Sequence, residues 1–570
     1  MMTLMSETPE PDADMAVSIL RPPASLDRYF AIRRHAFALP GILIRALMPR
    51  PVRDHDPAPV TYRLYGDPSR GAQILAGWDP DNKESAPLMG RLGRNSAGQD
   101  VGINDIGGFF WLDDLLSIRT NAAIRLTQHV IAVWIREHEN RSGQAWQSTR
   151  IAHRLIAWIR AAPLLLFDAP DRLRSDFARS IAHHAVLLNC CRLLPGSGLT
   201  PIAVRTALIL ARVFLKRPDA VSSGTQDRFA GTFRRWLQRA ALQPDTNPQD
   251  VLRAGFLLSL VIETCRHLNA AITPALSTVA HDVAGLLAAM RLTNAELCRL
   301  AHGGLTPTGL LSGTLATLGV HAPSSGSVNS AACTSMMTGG IHAVMNTRGS
   351  QNAAGRVDPT ALSLELAVDD EILLMDSGDA GGFTDKLADW VRAEHGCSAV
   401  HLARTPSFTG DNQPVPSAGI MYGTISRSCQ ETLHALHRTA SHNGYQNTCQ
   451  ATIERTLALA RDGACIEGLD TITINAEAED NPVFVRISFN IHPMVEIVDD
   501  ESALSEVRLR LPSGKLWQFA LTDGRACAIA DTIFVNDLDH EIWKTSRLLV
   551  HETLTSRQSH LAWSFARVPD

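Results

Sequence analysis

The chain has 570 residues, 45% of them hydrophobic and 19% charged, which is enough apolar material for two to four packed domains and excludes wholesale disorder. Its net charge is −5 and its charges are interspersed. No Lys/Arg run offers a phosphate-binding stripe, which argues against a dedicated nucleic-acid protein.

The first twenty residues, "MMTLMSETPEPDADMAVSIL", are acidic and contain two prolines. They lack the basic region and apolar core of a secretory signal, so residence in the cytoplasm is expected, or in the periplasm if translation starts elsewhere. No segment reaches the ~18 consecutive apolar residues of a membrane span. The ten cysteines include no C-x-x-C pair, as suits reduced, mostly buried thiols; Cys190 and Cys191 read as core on an apolar helix.

Residues 1–105 read as an extension and lead-in, in which "PVTYRLYGDPSRGAQILAG" could supply a short strand or two. Over 106–325 the apolar spacing is helical. Ile124, Ile131, Trp134 and Ile135 mark one face, Ile151, Leu155, Ile156 and Ile159 the next, and Phe177, Ile181, Ala185 and Leu188 a third. Further helices fit 202–215, 226–241, 250–268 and 276–291. Helices of similar length with short connectors imply antiparallel pairs, in a bundle or an α/α toroid.

After the Gly/Ser-rich "HAPSSGSVNSAACTSMMTGG" the period falls to two. Leu362, Leu364, Leu366 and Val368 alternate with Ser363, Glu365 and Ala367. Val485, Ile487, Phe489 and Ile491 alternate with Arg486, Ser488, Asn490 and His492, and Val507, Leu509 and Leu511 with Arg508 and Arg510. Residues 326–570 therefore read as an antiparallel β-sandwich.

Five segments, in order, resemble one family. They are "FFWLDDLLSIRT" with its continuation to "LIAWIRAAPLLL", "LCRLAHGGLTPTGLLSG", "LSLELAVDDEILLMDSG", "ASHNGYQNTCQATIERTLAL" and "FNIHPMVEI". Together they are similar to the heparinase II/III-like polysaccharide lyases, whose architecture is an α/α toroid followed by a β-sandwich. The resemblance implies β-elimination on a uronic-acid-containing, acidic polysaccharide. Such chemistry needs a group that neutralises the uronate carboxylate, a base for the weakly acidic α-proton and an acid for the leaving oxygen.

The resemblance also implies a structural zinc at the domain junction. It places Asp358 where the family's first His ligand stands, Asp376 of "MDSG" on the ligating Asp, and His395 on the last His ligand; an Asp/Asp/His set is a reasonable zinc shell. Each also has a plain reading, since Asp at a hairpin end caps a turn and His395 could lie on the surface. Arg356 stands at the position of the family's catalytic sandwich His, where it cannot act as a base but could clamp a carboxylate.

The five tyrosines are Tyr29, Tyr62, Tyr65, Tyr422 and Tyr445, so the segment read as the toroid carries no counterpart of the family's Tyr acid/base; its Asn-His pair is absent too. The replacement base falls to His183 or His184, although His184, three residues after Ile181, also reads as a core or rim side chain. Trp146 and Arg150 could line a sugar cleft, and Trp146 could equally fill the helix interior. His442, Tyr445 and His492 read as structural.

The first reading is thus a lyase with a degenerate catalytic set, and the second a non-catalytic carbohydrate-binding or scaffold protein with the same fold. A third, a hydrolase built on Asp113 and Asp114, suffers because adjacent helical residues point about 100° apart.

Overall fold

The structure is a computed structural model that describes residues 60–76, 109, 111–137, 146–191, 198–217, 219–240, 247–300, 302–307, 309–319, 326–329, 333–349, 356–357, 360–380, 383–392, 396–404, 421–475, 482–498, 503–539, 541–554 and 556–569. Helices come first: α1 (Pro68–Ala76), α2 (Leu112–Ser117), α3 (Asn121–Glu137), α4 (Ser148–Leu165), α5 (Asp171–Cys191), α6 (Thr200–Phe214), α7 (Ser223–Ala240), α8 (Pro248–His267), α9 (Pro274–Met290) and α10 (Leu310–Leu318). Strands dominate from residue 326 onward, with two short helices, α11 (Asp385–Arg392) and α12 (Gln446–Cys449), among them. No helix among the described residues is long and apolar enough to cross a membrane.

Helix starts follow local chemistry. The Asn247 side chain accepts the Asp250 N–H at 2.9 Å and Pro248 occupies the first turn of α8; Thr273 and Pro274 do the same for α9. Residues 60–67, where a strand or two was expected, have no regular structure, and 68–76 form α1. Asp67 caps that helix, accepting the Ser69 N–H at 2.7 Å, while Val60 and Tyr62 join the helical core. Helices α4, α6 and α8 lie side by side. The first turns of α4 and α6 meet through Thr149 and Thr200 (Oγ1–Oγ1 3.0 Å), and His153 on α4 interacts with Arg253 on α8.

All strand pairings among the described residues are antiparallel. The first sheet holds β1 (Gly326–Asn329), β2 (Cys333–Thr338), β3 (Ile341–Asn346), β5 (Leu364–Val368) and β6 (Glu371–Leu374), and β4 (Arg356–Val357) pairs separately with β8 (Met421–Tyr422). A second sheet of five contains β7 (Val400–Ala403), β13 (Val483–Asn490), β15 (Ala503–Leu504), β18 (Cys527–Asn536) and β19 (Glu541–Leu554). The largest, of eight strands, is built on β9 (Ile425–Glu431), β10 (Ala435–His442), β11 (Ala451–Ala460), β12 (Cys465–Ile474), β14 (Glu496–Ile497), β16 (Glu506–Arg510), β17 (Leu516–Leu521) and β20 (Gln558–Arg567). Side chains of these three sheets, among them Leu364, Phe489, Ile472 and Trp563, share one apolar core.

The alternation along β16 is as its sequence reads, with Val507 and Leu509 buried and Arg508 and Arg510 exposed. Along β5 it is not: Glu365 and Ala367 are as buried as Leu364 and Leu366. The reason is tertiary. Ala367, Val344 and Cys333 pack into the helical core, so the first sheet is covered on both faces, one by the helices and one by the other sheets. Cys190 also departs from its core reading and, like Asn189, is exposed near the end of α5; the Cys191 side chain lies outside the described residues.

Candidate active site

The two halves are joined by a buried polar cluster. The backbone N–H of Arg299 donates to both carboxylate oxygens of Glu365, at 2.8 and 3.0 Å. Its guanidinium, fully buried, donates to the carbonyls of Gly303 (3.1 Å) and Val535 (2.7 Å), pairs with Asp537 at 3.3 Å and lies 4.6 Å from the Phe534 ring centroid. Gly378, at φ +95°, lies directly against that guanidinium, and any Cβ there would overlap it. Gly304 is likewise pressed on the Asp537 carboxylate.

Burial sets the electrostatics of this junction. It pushes Glu365 well above the usual carboxylate range, with Asp376 adding to the shift. It raises Glu296 to about 7 and holds His492 down to about 4, the nearby Arg299 charge adding to the latter. Glu296 still accepts the Thr306 N–H at 2.7 Å. At the start of α8, Asp250 is raised by burial while Arg253 and Arg348 pull it back, and Asp379 opposes them. The N-terminal turn of α8 thus faces Arg348 and Asp379 of the sheet half. His153, held to about 4 by burial, lies next to Arg253.

Asp376 sits in the cluster, 3% exposed. One carboxylate oxygen accepts the Ser398 N–H at 3.0 Å and the other the Ser363 hydroxyl at 3.2 Å. A buried carboxylate such as Asp376 supplies the hard oxygen donors that a zinc ion takes, so its chemistry fits a zinc ligand. Asp358 and His395 lie outside the described residues, and among the described residues no group of three or more His, Cys, Asp or Glu is placed to hold a metal ion. Arg356 stands on β4 in register with Tyr422 on β8, a partnership that sequence reasoning did not find.

His183 and His184 separate. His183 is half-buried on α5. His184 is fully buried: its Nε2 accepts from Arg154 Nε at 2.9 Å and its Nδ1 bonds the Ser180 carbonyl at 2.6 Å, so both ring nitrogens are engaged inside. Trp146, 3% exposed, stacks on His184 with centroids 4.9 Å apart and packs against Trp134, which covers the ring that would have met a sugar. For His184 and Trp146 the core readings of the sequence therefore describe the observed positions. Arg150 is buried on the first turn of α4, close to Arg154.

Asp113 pairs with Arg160 at 2.8 Å, which ties α2 to α4, and Asp114 accepts the Asp67 N–H at 2.8 Å, which ties α2 to the start of α1. His442 accepts the Gly444 N–H at 3.2 Å, a loop-fixing bond. Sequence reasoning missed Arg299, Glu365, Glu296 and Asp537. Glu365 carried one signal, a charged residue midway along an otherwise apolar strand.

Residues 346–564 match a family described as Heparinase II/III-like, C-terminal. Among solved structures the fold resembles a heparinase III (TM-score 0.61, 10% identity, 95% of this chain and 91% of that one). It also resembles a heparinase III described as the BT4657 gene product (0.57, 11%, 91% and 87%) and a mutant of the heparan sulfate lyase HepC from Pedobacter heparinus (0.55, 10%, 86% and 78%). No curated protein matches the sequence significantly.

Proposed function

We propose that this chain, whose residues 346–564 form a heparinase II/III-like C-terminal domain, acts on a uronic-acid-containing polysaccharide by β-elimination with a reduced catalytic set. In this reading residues 106–325 are an α/α toroid and 326–570 a β-sandwich. The observation that carries it is the junction itself, where the N-terminal turn of α8 meets Arg348 and Asp379 and lies beside the N-terminal half of α4. Helix N-termini and arginines together favour an anionic chain.

The reaction requires that a base take the proton α to the carboxylate, that the C–H electron pair become the new C=C bond, and that the C–O bond to the leaving sugar break as its oxygen is protonated. Arg150 and Arg356 are the side chains assigned to hold the carboxylate, and His183, half-buried where His184 is sealed, the one assigned to the proton. A zinc held by Asp376 with Asp358 and His395 would supply structural charge neutralisation at the junction. Asp376 itself fixes the Ser398 backbone and the Ser363 hydroxyl.

The sealed His184 and the missing toroid tyrosine favour a second reading, a polysaccharide-binding protein without turnover. Incubation with a panel of acidic polysaccharides separates the two, because elimination leaves a conjugated uronate that absorbs in the ultraviolet and binding alone does not. Hydrolysis, with new reducing ends and no absorbance, would overturn the lyase reading.

A further inference from the structure

Trp543 on β19 is held in a way that leaves an aromatic surface open. Directly opposite on β18 stands Phe534, 2% exposed, and the two rings are nearly parallel, 19° apart with centroids at 5.8 Å. The indole N–H donates to Glu541 Oε2 at 3.0 Å, which fixes the rotation of the ring. Phe534 is in turn braced by His492, edge-on at 5.4 Å, and by the Arg299 guanidinium. Yet Trp543 remains 37% exposed, and with Phe167 it is one of two exposed aromatic side chains among the described residues that are large hydrophobics.

Such a ring is preorganised without being buried. A protein-docking patch would need several hundred Å² of contiguous apolar surface. Here the exposed neighbours Ile542 and Lys544 project to the opposite face of the strand, as successive strand residues do, and the same-face neighbours along β19 are Glu541, exposed, and Thr545, half-buried. One flat apolar face bordered by polar groups matches a single pyranose ring, whose axial C–H bonds cover an aromatic face while its hydroxyls reach outward.

The geometry points to Trp543 as a sugar-stacking subsite that takes an uncharged pyranose of the glycan. The Glu541 carboxylate at the indole edge accepts hydroxyl hydrogen bonds and repels a uronate or sulfate placed over the ring. The subsite would therefore select glycans in which the acidic sugar alternates with an uncharged one. This rests on the polysaccharide reading above and narrows its substrate class.

The test measures binding by titration calorimetry of the full chain and its Trp543→Ala and Trp543→Phe variants. The probes are hyaluronan oligosaccharides (uronate alternating with an uncharged hexosamine), oligoalginate (uronate throughout) and neutral cello-oligosaccharides; Ile542→Ala serves as the surface control, with thermal midpoints confirming folding. Trp543→Ala is expected to weaken the alternating glycan roughly tenfold, the loss of one aromatic stacking contact, with Trp543→Phe intermediate and oligoalginate unaffected. Unchanged affinity of a folded Trp543→Ala for the alternating glycan overturns the subsite and leaves the lyase reading standing. Binding of neutral oligosaccharide alone, lost in Trp543→Ala, supports the subsite while removing the acidic-substrate reading. No binding of any probe overturns both.

Discussion

The Arg299 backbone N–H and the Glu365 carboxylate, 66 residues apart, form a buried hydrogen-bonded link between the segment after α9 and the first sheet. Glu365 is fully buried and its carboxyl is pushed well up by that burial, so its acceptor oxygens matter more than its charge. Glu365→Gln, which keeps a carbonyl acceptor, is expected to cost no more than about 1 kcal/mol. Glu365→Ala strands a buried N–H and opens a cavity, for about 2–4 kcal/mol, read from urea unfolding.

A second buried pair lies within the sheets. Arg455 meets Asp470 through two bonds of 2.6 and 2.9 Å, both side chains fully buried, and Trp563 donates its indole N–H to the same carboxylate at 2.9 Å. Asp470→Ala should destabilise by about 3–5 kcal/mol, because it leaves an uncompensated buried guanidinium. The double replacement Arg455→Met, Asp470→Leu should recover most of that loss in the same unfolding experiment.

Stability should peak in mildly acidic solution. His153, His342, His442 and His492 are each held to about 4, below the usual 6.5, so the folded state binds fewer protons than the unfolded one, and their contribution, full above pH 6.5, is lost as pH falls toward 4. Glu296 has the opposite sign. Raised to about 7, it binds a proton more tightly when folded, and its contribution, full below pH 4.5, is lost as pH rises through 7. Denaturant titrations should show Glu296→Gln flattening the alkaline decline, by on the order of 2 kcal/mol, and leaving the acid limb intact.

Turnover should be weak on heparin and on alginate. If His183 is the base, His183→Ala lowers the rate of ultraviolet product formation by about 10²–10⁴ without moving the thermal midpoint. His184→Ala should do the reverse, lowering stability by about 2–4 kcal/mol through the cavity between Trp146 and Arg154 and the lost Arg154 bond. Equal product from wild type and His183→Ala would place the base elsewhere.

Metal content gives an independent check. Elemental analysis of the purified chain is expected to find roughly one zinc, released by Asp376→Asn, since a neutral amide is a poor zinc ligand. Retention of the metal in that variant would remove Asp376 from the ligand set.

Local rules carried much of the architecture. A 3.6-residue period located α6 to α9 to within a few residues, and a period of two located β5, β13 and β16, because both periods follow from backbone geometry. They failed at 68–76, where a capping Asp67 and Pro68 began a helix in a segment read as strand.

The candidate site was less legible. Asp376 could be singled out from its motif, but motif spacing gives no depth: His183 and His184 are neighbours in sequence, and only the packing of Trp134, Trp146 and Trp158 around one of them sealed it while its neighbour stayed half-buried. In the same way the sequence marked Ser363, Glu365 and Ala367 as the polar face of a strand. The helices then covered that face, leaving Glu365 to find its partner in a backbone N–H that no pattern in the chain announces. Periodicity is a property of neighbours, and which second layer lands on a face is decided by chain segments scores of residues away.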